Sequence, residues 1–297
     1  MSDTQKLYVG YVTAGRREQL GKTLEQLGKQ RRLPDKIIVC PASPEDFDPS
    51  TAASAGAPLE VVTAQRGICA QRNAVIAASR AADIMVFFDD DYYPAPDYLE
   101  HVCELFAREP EVVMATSWPE LDGAIGPGVP HDEALKWIDA DAAVRPKASI
   151  GPAHNGYGCN MAMRLGPVQR HGLRFDERLP LYGWLEDVDF SGRLGMYGRI
   201  VVSYGLRGVH LGTKAGRNSG LRFGYSQIAN PLYMVRKGSL STRYAARQIL
   251  RNVGSNVVRS LRPEPWVDRR GRLRGNVMAA RDLLTGTLAP ENILRLR

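Results

Sequence analysis

The sequence predicts an α/β protein: a central, mostly parallel sheet flanked by helices, continued by a basic helical tail. Three observations lead there. Short apolar runs alternate with amphipathic helical stretches through the first two thirds of the 297 residues, the pattern of strands joined by helical crossovers. Ile84 to Phe88 form an unbroken apolar run, as expected of a strand covered on both faces. Charge is also segregated: residues 236–297 carry 14 Lys or Arg against 4 Asp or Glu, a local +10 that exceeds the +7 of the whole chain. The expected division is a globular body over 1–235 and a basic helical extension over 236–297.

In chain order, Leu7 to Thr13 reads as the first strand. A helix from about Arg16 to Lys29 follows, its Leu20, Leu24 and Leu27 recurring at helical spacing to form one apolar stripe. Pro34 breaks that pattern, and Lys36 to Cys40 is the second strand. Residues 41–58, rich in Pro, Ala and Ser, read as a loop, and Leu59 to Thr63 as a third strand. Gly67 opens a helix that carries Arg72 and Asn73 to about Ser79. The apolar run from Ile84 then enters Asp89, Asp90 and Asp91. In such sheets ligands bind beyond the carboxyl ends of the strands, which places Thr13, Cys40, Thr63 and Asp89 at one edge.

Three adjacent carboxylates repel one another unless a cation neutralises them, and hard divalent ions such as Mg2+ or Mn2+ prefer oxygen ligands. The same residues could instead form a solvated turn or cap the next helix. Cys40, Cys69, Cys103 and Cys159 are widely spaced with no CxxC pair, so they read as buried thiols rather than a zinc site or disulfide framework. No apolar run reaches about 18 residues, and Met1 to Lys6 is polar; the expectation is a cytoplasmic protein without a membrane span or secretory signal.

The segments YVTAGRREQLGKTLEQL, LPDKIIVC, RGICAQRNAVIAAS and VFFDDDYYPAPDYLEHV occur in this order. Together they resemble the nucleotide-binding half of bacterial family 2 glycosyltransferases with the GT-A fold, which show a "GxxxARN" helix and an aspartate cluster followed by Pro and a helix. The resemblance covers roughly residues 5–215. It implies a nucleotide-binding half over about 1–117 and an acceptor half over about 118–235. Where the family usually has a base-reading aspartate, this chain has Cys40-Pro41-Ala42-Ser43, so that role has no carrier here. After a fifth strand, Val112 to Ser117, comes a Gly/Pro-interrupted stretch read as loops near the acceptor. Gly158 to Arg164 looks like the family's short strand beneath the donor sugar. Phe175-Asp176-Glu177 and the run Gly183 to Phe190 with Arg193 resemble its "FDE…GxEDxDLxxR" element.

The resemblance implies a metal-dependent inverting transfer from a nucleoside diphosphate sugar to a glycan or lipid-linked acceptor. Asp187 is then the preferred base and Glu186 the alternative, at a helix start whose dipole orients them. Read alone, these two residues would only cap that helix. Trp184 is available as an apolar wall for a sugar. Asp91 is the expected metal ligand, Asp89 contacts metal or ribose, and Asp90 stands beside them. Thr13 and Arg72 support the nucleotide pocket. A lone His is usually structural, but the family's late histidine implies that His210 completes the metal shell, with Lys214 or Arg217 covering the diphosphate.

Two other functions stay in view. Nucleotidyl transfer would need a Gly-rich, Lys-containing phosphate loop, of which Ala14-Gly15-Arg16-Arg17 is a poor version. Nucleic-acid binding by the tail lacks an accompanying motif, and no nucleic acid is expected. In the tail, Tyr244, Ile249, Leu250, Val253, Val257 and Leu261 form a stripe bordered by Arg243, Arg247, Arg251 and Arg259. It fits peripheral contact with an anionic membrane, or packing on the body or on a second subunit of a homo-oligomer.

Overall fold

The computed structural model describes residues 5–141, 149–214 and 219–296. Met1 to Thr4 of the polar N-terminus, and Arg217, lie outside the described residues. The elements run β1 (Leu7–Thr13), α1 (Arg17–Leu27), β2 (Lys36–Pro41), β3 (Leu59–Val61), α2 (Ile68–Ala78), β4 (Ile84–Asp89), β5 (Tyr92–Pro94), α3 (Tyr98–Arg108) and β6 (Val112–Thr116). Then come β7 (Leu121–Asp122), α4 (His131–Asp141), β8 (Ile150–Pro152), β9 (Asn160–Arg164), α5 (Leu165–Arg170), α6 (Glu186–Leu194), β10 (Arg199–Ser203) and β11 (Gly208–His210). The chain closes with α7 (Gly220–Lys237), α8 (Thr242–Arg259) and α9 (Arg269–Leu284).

Eight strands form one sheet in the order β3-β2-β1-β4-β9-β6-β10-β8. The strands from β3 to β4 are parallel, as their helical crossovers require. β9 departs from the expected parallel pattern and runs antiparallel to both β4 and β6, while β8 is antiparallel to β10. The reversal has a consequence for chemistry: β9 begins at the end of the sheet where β4 finishes. Phe88 is in register with Asn160, and Asp89 N donates to Cys159 O at 3.1 Å.

Apolar stripes cover both faces of the sheet. Leu20, Leu24 and Leu27 of α1 join Leu99, Val102 and Phe106 of α3 in one core; Val75 of α2, Val168 of α5 and Phe190 of α6 belong to the other. All four cysteines are free, and Cys40, Cys69 and Cys159 are buried.

Three local expectations are corrected. The third strand stops at Val61 rather than Thr63. Residues 41–58 are not featureless, because Pro44–Asp46 and Pro49–Ala55 form 3-10 turns; Asp46 accepts from Ser43 N at 3.2 Å and Asp48 from Ser50 N at 3.0 Å, local capping that Pro at the first position favours. The stretch after β6 contains α4 as well as loops. Its Gly and Pro residues flank the helix instead of interrupting it, and Ala134 and Ile138 pack against Tyr93, Val209 and Leu211. That cluster braces a small second sheet, β5-β11-β7, whose short strands left no readable periodicity.

α7 docks on the body: Tyr233 and Lys237 reach Asp176 at 2.7 and 2.6 Å, and Lys237 also pairs with buried Asp189 at 2.9 Å. The division expected at 235/236 falls inside this helix. α9 crosses α7 in backbone contact at Gly224 and Gly275, where a Cβ would lie about 2 Å from carbonyl oxygens of the facing helix. α8 is tied in by a buried amide network: Asn256 donates to Gln227 Oε1 and Asn276 Oδ1, both at 2.8 Å, and Asn276 donates to Gly224 O at 2.7 Å.

Asn256→Ala leaves the buried Asn276 carbonyl oxygen without its donor, a loss of about 1–3 kcal/mol. Hydrogen exchange should show the loss first in residues 242–284, with the central sheet still protected; wild-type protection there would show that the network does not hold α8.

Candidate active site

The aspartate run sits where β4 ends and the chain turns into β5. Asp90 is turned toward β1 and α1: Thr13 Oγ1 donates to it at 2.6 Å and Arg16 Nη1 at 2.8 Å, while Thr23 Oγ1 holds its backbone carbonyl at 2.6 Å. Asp91, 1% exposed, accepts from Thr213 N at 2.7 Å through Oδ2. Its Oδ1 is buried without a hydrogen-bond partner. β11 delivers His210 to this point by pairing antiparallel with β5 and parallel with β7. His210 Nε2 lies 3.4 Å from Asp91 Oδ1 and 3.9 Å from Asp89 Oδ2.

Asp89, Asp91 and His210 each offer a ligand atom, all within 4.8 Å of one another. The donor set, two carboxylates and an imidazole, suits a hard or borderline divalent ion, and Asp91 Oδ1 is a buried acceptor without a hydrogen-bond donor. Behind the histidine, Asp122 Oδ1 lies 2.8 Å from His210 Nδ1, and Tyr157 OH donates to Asp122 Oδ2 at 2.8 Å. That relay fixes which imidazole nitrogen faces the two aspartates. Gly212, at φ 64°, turns the chain two residues after His210, where a Cβ would overlap the Gly123 backbone.

Burial sets the charge states. It pushes Asp90 up to about 7 against the pull of Arg16, and it raises Asp89 against Arg72 and His210. Burial also acts to raise Asp91, but His210, Arg16 and the Thr213 N–H outweigh it and hold that carboxyl well below the usual range. For His210 burial disfavours the cation, yet Asp122 and Asp91 prevail and lift its pKa to about 10.

A second carboxylate pole is joined to the first by Arg72, which is 1% exposed on α2. Its Nη1 donates to Glu186 Oε1 at 2.5 Å, and its Nη2 donates to Gly158 O at 2.8 Å and lies 3.5 Å from Asp89 Oδ1. The guanidinium also stands 5.4 Å from the ring centres of Phe87 and Phe175, a cation–π environment. Its neighbour Asn73 exchanges hydrogen bonds with Phe175 and donates to Glu177 Oε1, clasping the Phe-Asp-Glu turn to the same helix. At the start of α6 the carboxylates differ. Glu186 is buried and engaged by Arg72; burial, reinforced by Asp187, raises its pKa against that pairing. Asp187 is half-buried, raised by burial against Arg72, with Oδ1 accepting from Val188 N at 2.9 Å and Oδ2 from Gly158 N at 3.0 Å. Asp189 is occupied elsewhere, by Arg193 and Lys237.

A cleft opens beside these groups, lined by Thr13, Arg16, Arg66, Gln71, Asp90 and Tyr182 among others. Gln71 donates to Cys40 O at 2.6 Å and Thr13 O at 3.1 Å, so β2 meets α2 through an amide where the base-reading aspartate is missing. Tyr182, 55% exposed, stands at the rim, while the ring of Trp184 rests against Phe223. Thr13, Arg72, Asp89, Asp90, Asp91, Glu186, Asp187 and His210 thus form one continuous constellation. Lys214 Nζ donates to Gly123 O at 2.8 Å. Sequence reasoning missed Asp122, Tyr157 and Arg16 as parts of the site. The first two lie in a stretch without periodicity, and Arg16 gave a signal only as a basic residue after a strand.

The histidine makes a pH prediction. Its folded-state pKa of about 10 exceeds the ordinary value of about 6.5, so its stabilisation is complete below about 6.5 and is lost as pH rises through about 10. Metal-free protein should lose melting temperature over that window more steeply than His210→Gln; parallel profiles would contradict the assigned charge.

Comparison with solved structures gives the fold. Residues 1–349 of S. aureus TarS match with a TM-score of 0.56 at 14% identity, covering 98% of this chain and 83% of that one. A mannosyltransferase from Pyrobaculum calidifontis, PcManGT, solved with GDP-Man and Mn2+, matches with a TM-score of 0.53 at 14% identity, covering 99% and 86%. None of the curated proteins compared with the chain matches it. The family model for glycosyl transferase family 2 matches residues 9–172, which span β1 to the end of α5 and contain both the aspartate run and Arg72. The sheet order, the aspartates at the end of β4 and a family match over more than half of the sequence converge: the chain belongs to glycosyl transferase family 2 and is a glycosyltransferase of GT-A fold.

Proposed function

We propose that the enzyme transfers a sugar from a nucleoside diphosphate sugar to an acceptor hydroxyl with one inversion at the anomeric carbon. The observation that carries this reading is the pair of carboxylate poles, Asp89/Asp91 with His210 and Glu186/Asp187, set on either side of buried Arg72. One pole suits the leaving diphosphate and the other the incoming hydroxyl. Similar folds have been solved with UDP-GlcNAc, in TarS, and with GDP-Man and Mn2+, in PcManGT, which supports a nucleotide-sugar donor.

In this reading Asp89, Asp91 and His210 hold Mn2+ or Mg2+. When bound, the ion supplies Lewis-acid stabilisation of charge on the leaving diphosphate. The chain's own groups do the rest. Thr13, Arg16 and Asp90 shape the nucleoside side of the cleft, and Arg72 fixes Asp89 and Glu186 relative to each other. Asp187 takes the acceptor proton as the acceptor oxygen bonds to the anomeric carbon and the carbon–diphosphate bond breaks. Asp187 is preferred over Glu186 because it reaches the surface and its oxygens are aimed by two backbone N–H groups, whereas Glu186 is spent on Arg72. The proposal includes a catalytic part over 1–235, a basic extension over 236–297, and a cytoplasmic role in bacterial glycan assembly on a glycan or lipid-linked acceptor.

Asp187→Asn should lower kcat by on the order of 10²–10⁴-fold with donor affinity kept. Kinetics read beside melting curves decide the assignment: if Glu186→Gln is instead the variant with normal stability and the larger loss of turnover, the base is Glu186.

Melting curves with UDP-, GDP- and dTDP-sugars, each with and without Mn2+ or Mg2+, should reveal a donor whose stabilising shift needs the metal. Asp91→Ala should fold and lose that shift; a metal-dependent shift that survives in Asp91→Ala would remove Asp91 from the ligand set.

A further inference from the structure

α8 contains four arginines and no Asp or Glu. Its inner side is settled by packing: Ala245 and Asn256 are buried, and Ile249 and Val253 pack on the cluster formed by α7 and α9. At about 100° per residue, the opposite arc presents Arg243, Arg247, Leu250, Arg251, Val257 and Val258, with Leu261 following just beyond the helix. Leu250 is 73% exposed, Val258 69% and Leu261 84%. Hence the stripe seen in the sequence is two stripes, one that docks and one that faces outward.

Among the described residues, the arginines on the outward arc have no carboxylate partner. Among the described residues Arg243, Arg247 and Arg251 make no ion pair, and the nearest acidic residue in sequence, Glu264, is taken by Arg259 and Arg269. α9 repeats the pattern: Val277 and Leu284, 63% and 88% exposed, share a helical face with Arg270, Arg274 and Arg281. No described helix is long and apolar enough to cross a membrane.

We propose that the outward face of α8 docks on an anionic phospholipid surface, lying in the plane of the interface with Leu250, Val257 and Leu261 entering the acyl boundary and the arginines meeting the headgroups. Charge complementarity selects this occupant. Uncompensated cations need anions, and exposed Leu and Val among them need an apolar phase beside those anions, which a bilayer interface provides and a nucleic-acid backbone does not. The inference rests on the lipid-linked-acceptor reading only for its purpose, because docking itself requires neither donor nor acceptor.

Full-length protein is sedimented with vesicles of phosphatidylglycerol and phosphatidylcholine in equal parts, and with vesicles of phosphatidylcholine alone, at low and high salt. Binding is expected on the anionic vesicles only, and weaker at high salt. An arginine near such a surface contributes ~1 kcal/mol, about fivefold, so Arg243→Ala/Arg247→Ala/Arg251→Ala should weaken partitioning on the order of a hundredfold. Leu250→Asp/Leu261→Asp should also release the protein, while both variants keep the wild-type melting temperature. Equal binding to neutral vesicles, binding unchanged in both variants, or tighter binding to duplex DNA at the same salt would overturn the proposal. So would self-association that the leucine variant breaks, which would make the face a contact between copies of the chain. A metal-dependent donor shift measured on the same preparations tells failure of docking from failure of the transferase reading.

Discussion

The buried guanidinium of Arg72 is the constraint on which the site depends. A cation removed from water must be neutralised, and here Glu186 supplies a close ion pair while Asp89 lies within reach on the other side. Because Glu186 begins α6 and Asp89 ends β4, that one side chain fixes the distance between parts of the chain about a hundred residues apart. Breaking such a buried pair from one side costs about 3–5 kcal/mol, so the spacing of the two poles is secured by stability as well as by geometry. Phe87 and Phe175 enclose the guanidinium, and Asn73, one residue on, clasps the turn that contains Phe175.

The second device is the small sheet. Asp91 and His210 meet because β5 and β11 pair in antiparallel register, and Asp122 reaches His210 because β7 lies on the other side of β11. The imidazole is thereby oriented by the fold itself. The protonated histidine itself serves as counter-ion to Asp91, so the buried carboxylate is balanced by the fold's own charge.

Helices α7 to α9 show how the excess charge of the tail is organised. Lys237 is consumed by Asp176 and Asp189, and Arg259 and Arg269 by Glu264, which welds the helices to one another and to the body. The arginines on the outer arc of α8 are left over from this pairing.

The sequence by itself determined the α/β class, the first four strands and the helices between them, because apolar periodicity and local turn chemistry are short-range signals that survive without a fold. It also singled out Asp89 to Asp91, since clustered charge at a strand end is visible in one dimension, whereas Arg72, Asn73 and Glu186-Asp187 stood out only through the family resemblance. Tertiary structure decided the rest. The reversed direction of β9, the helix α4, the partnership of His210 with Asp122, and the different partners of Glu186 and Asp187 all follow from which segments lie beside which. Two-residue β7 and three-residue β5 and β11 are too short to carry a period, and the pairing of Glu186 rather than Asp187 with Arg72 depends on a side chain that reaches them from another helix. The tail shows the same division: its arginines could be counted in sequence, but only packing against α7 and α9 separates the apolar residues that are buried from those that face solvent.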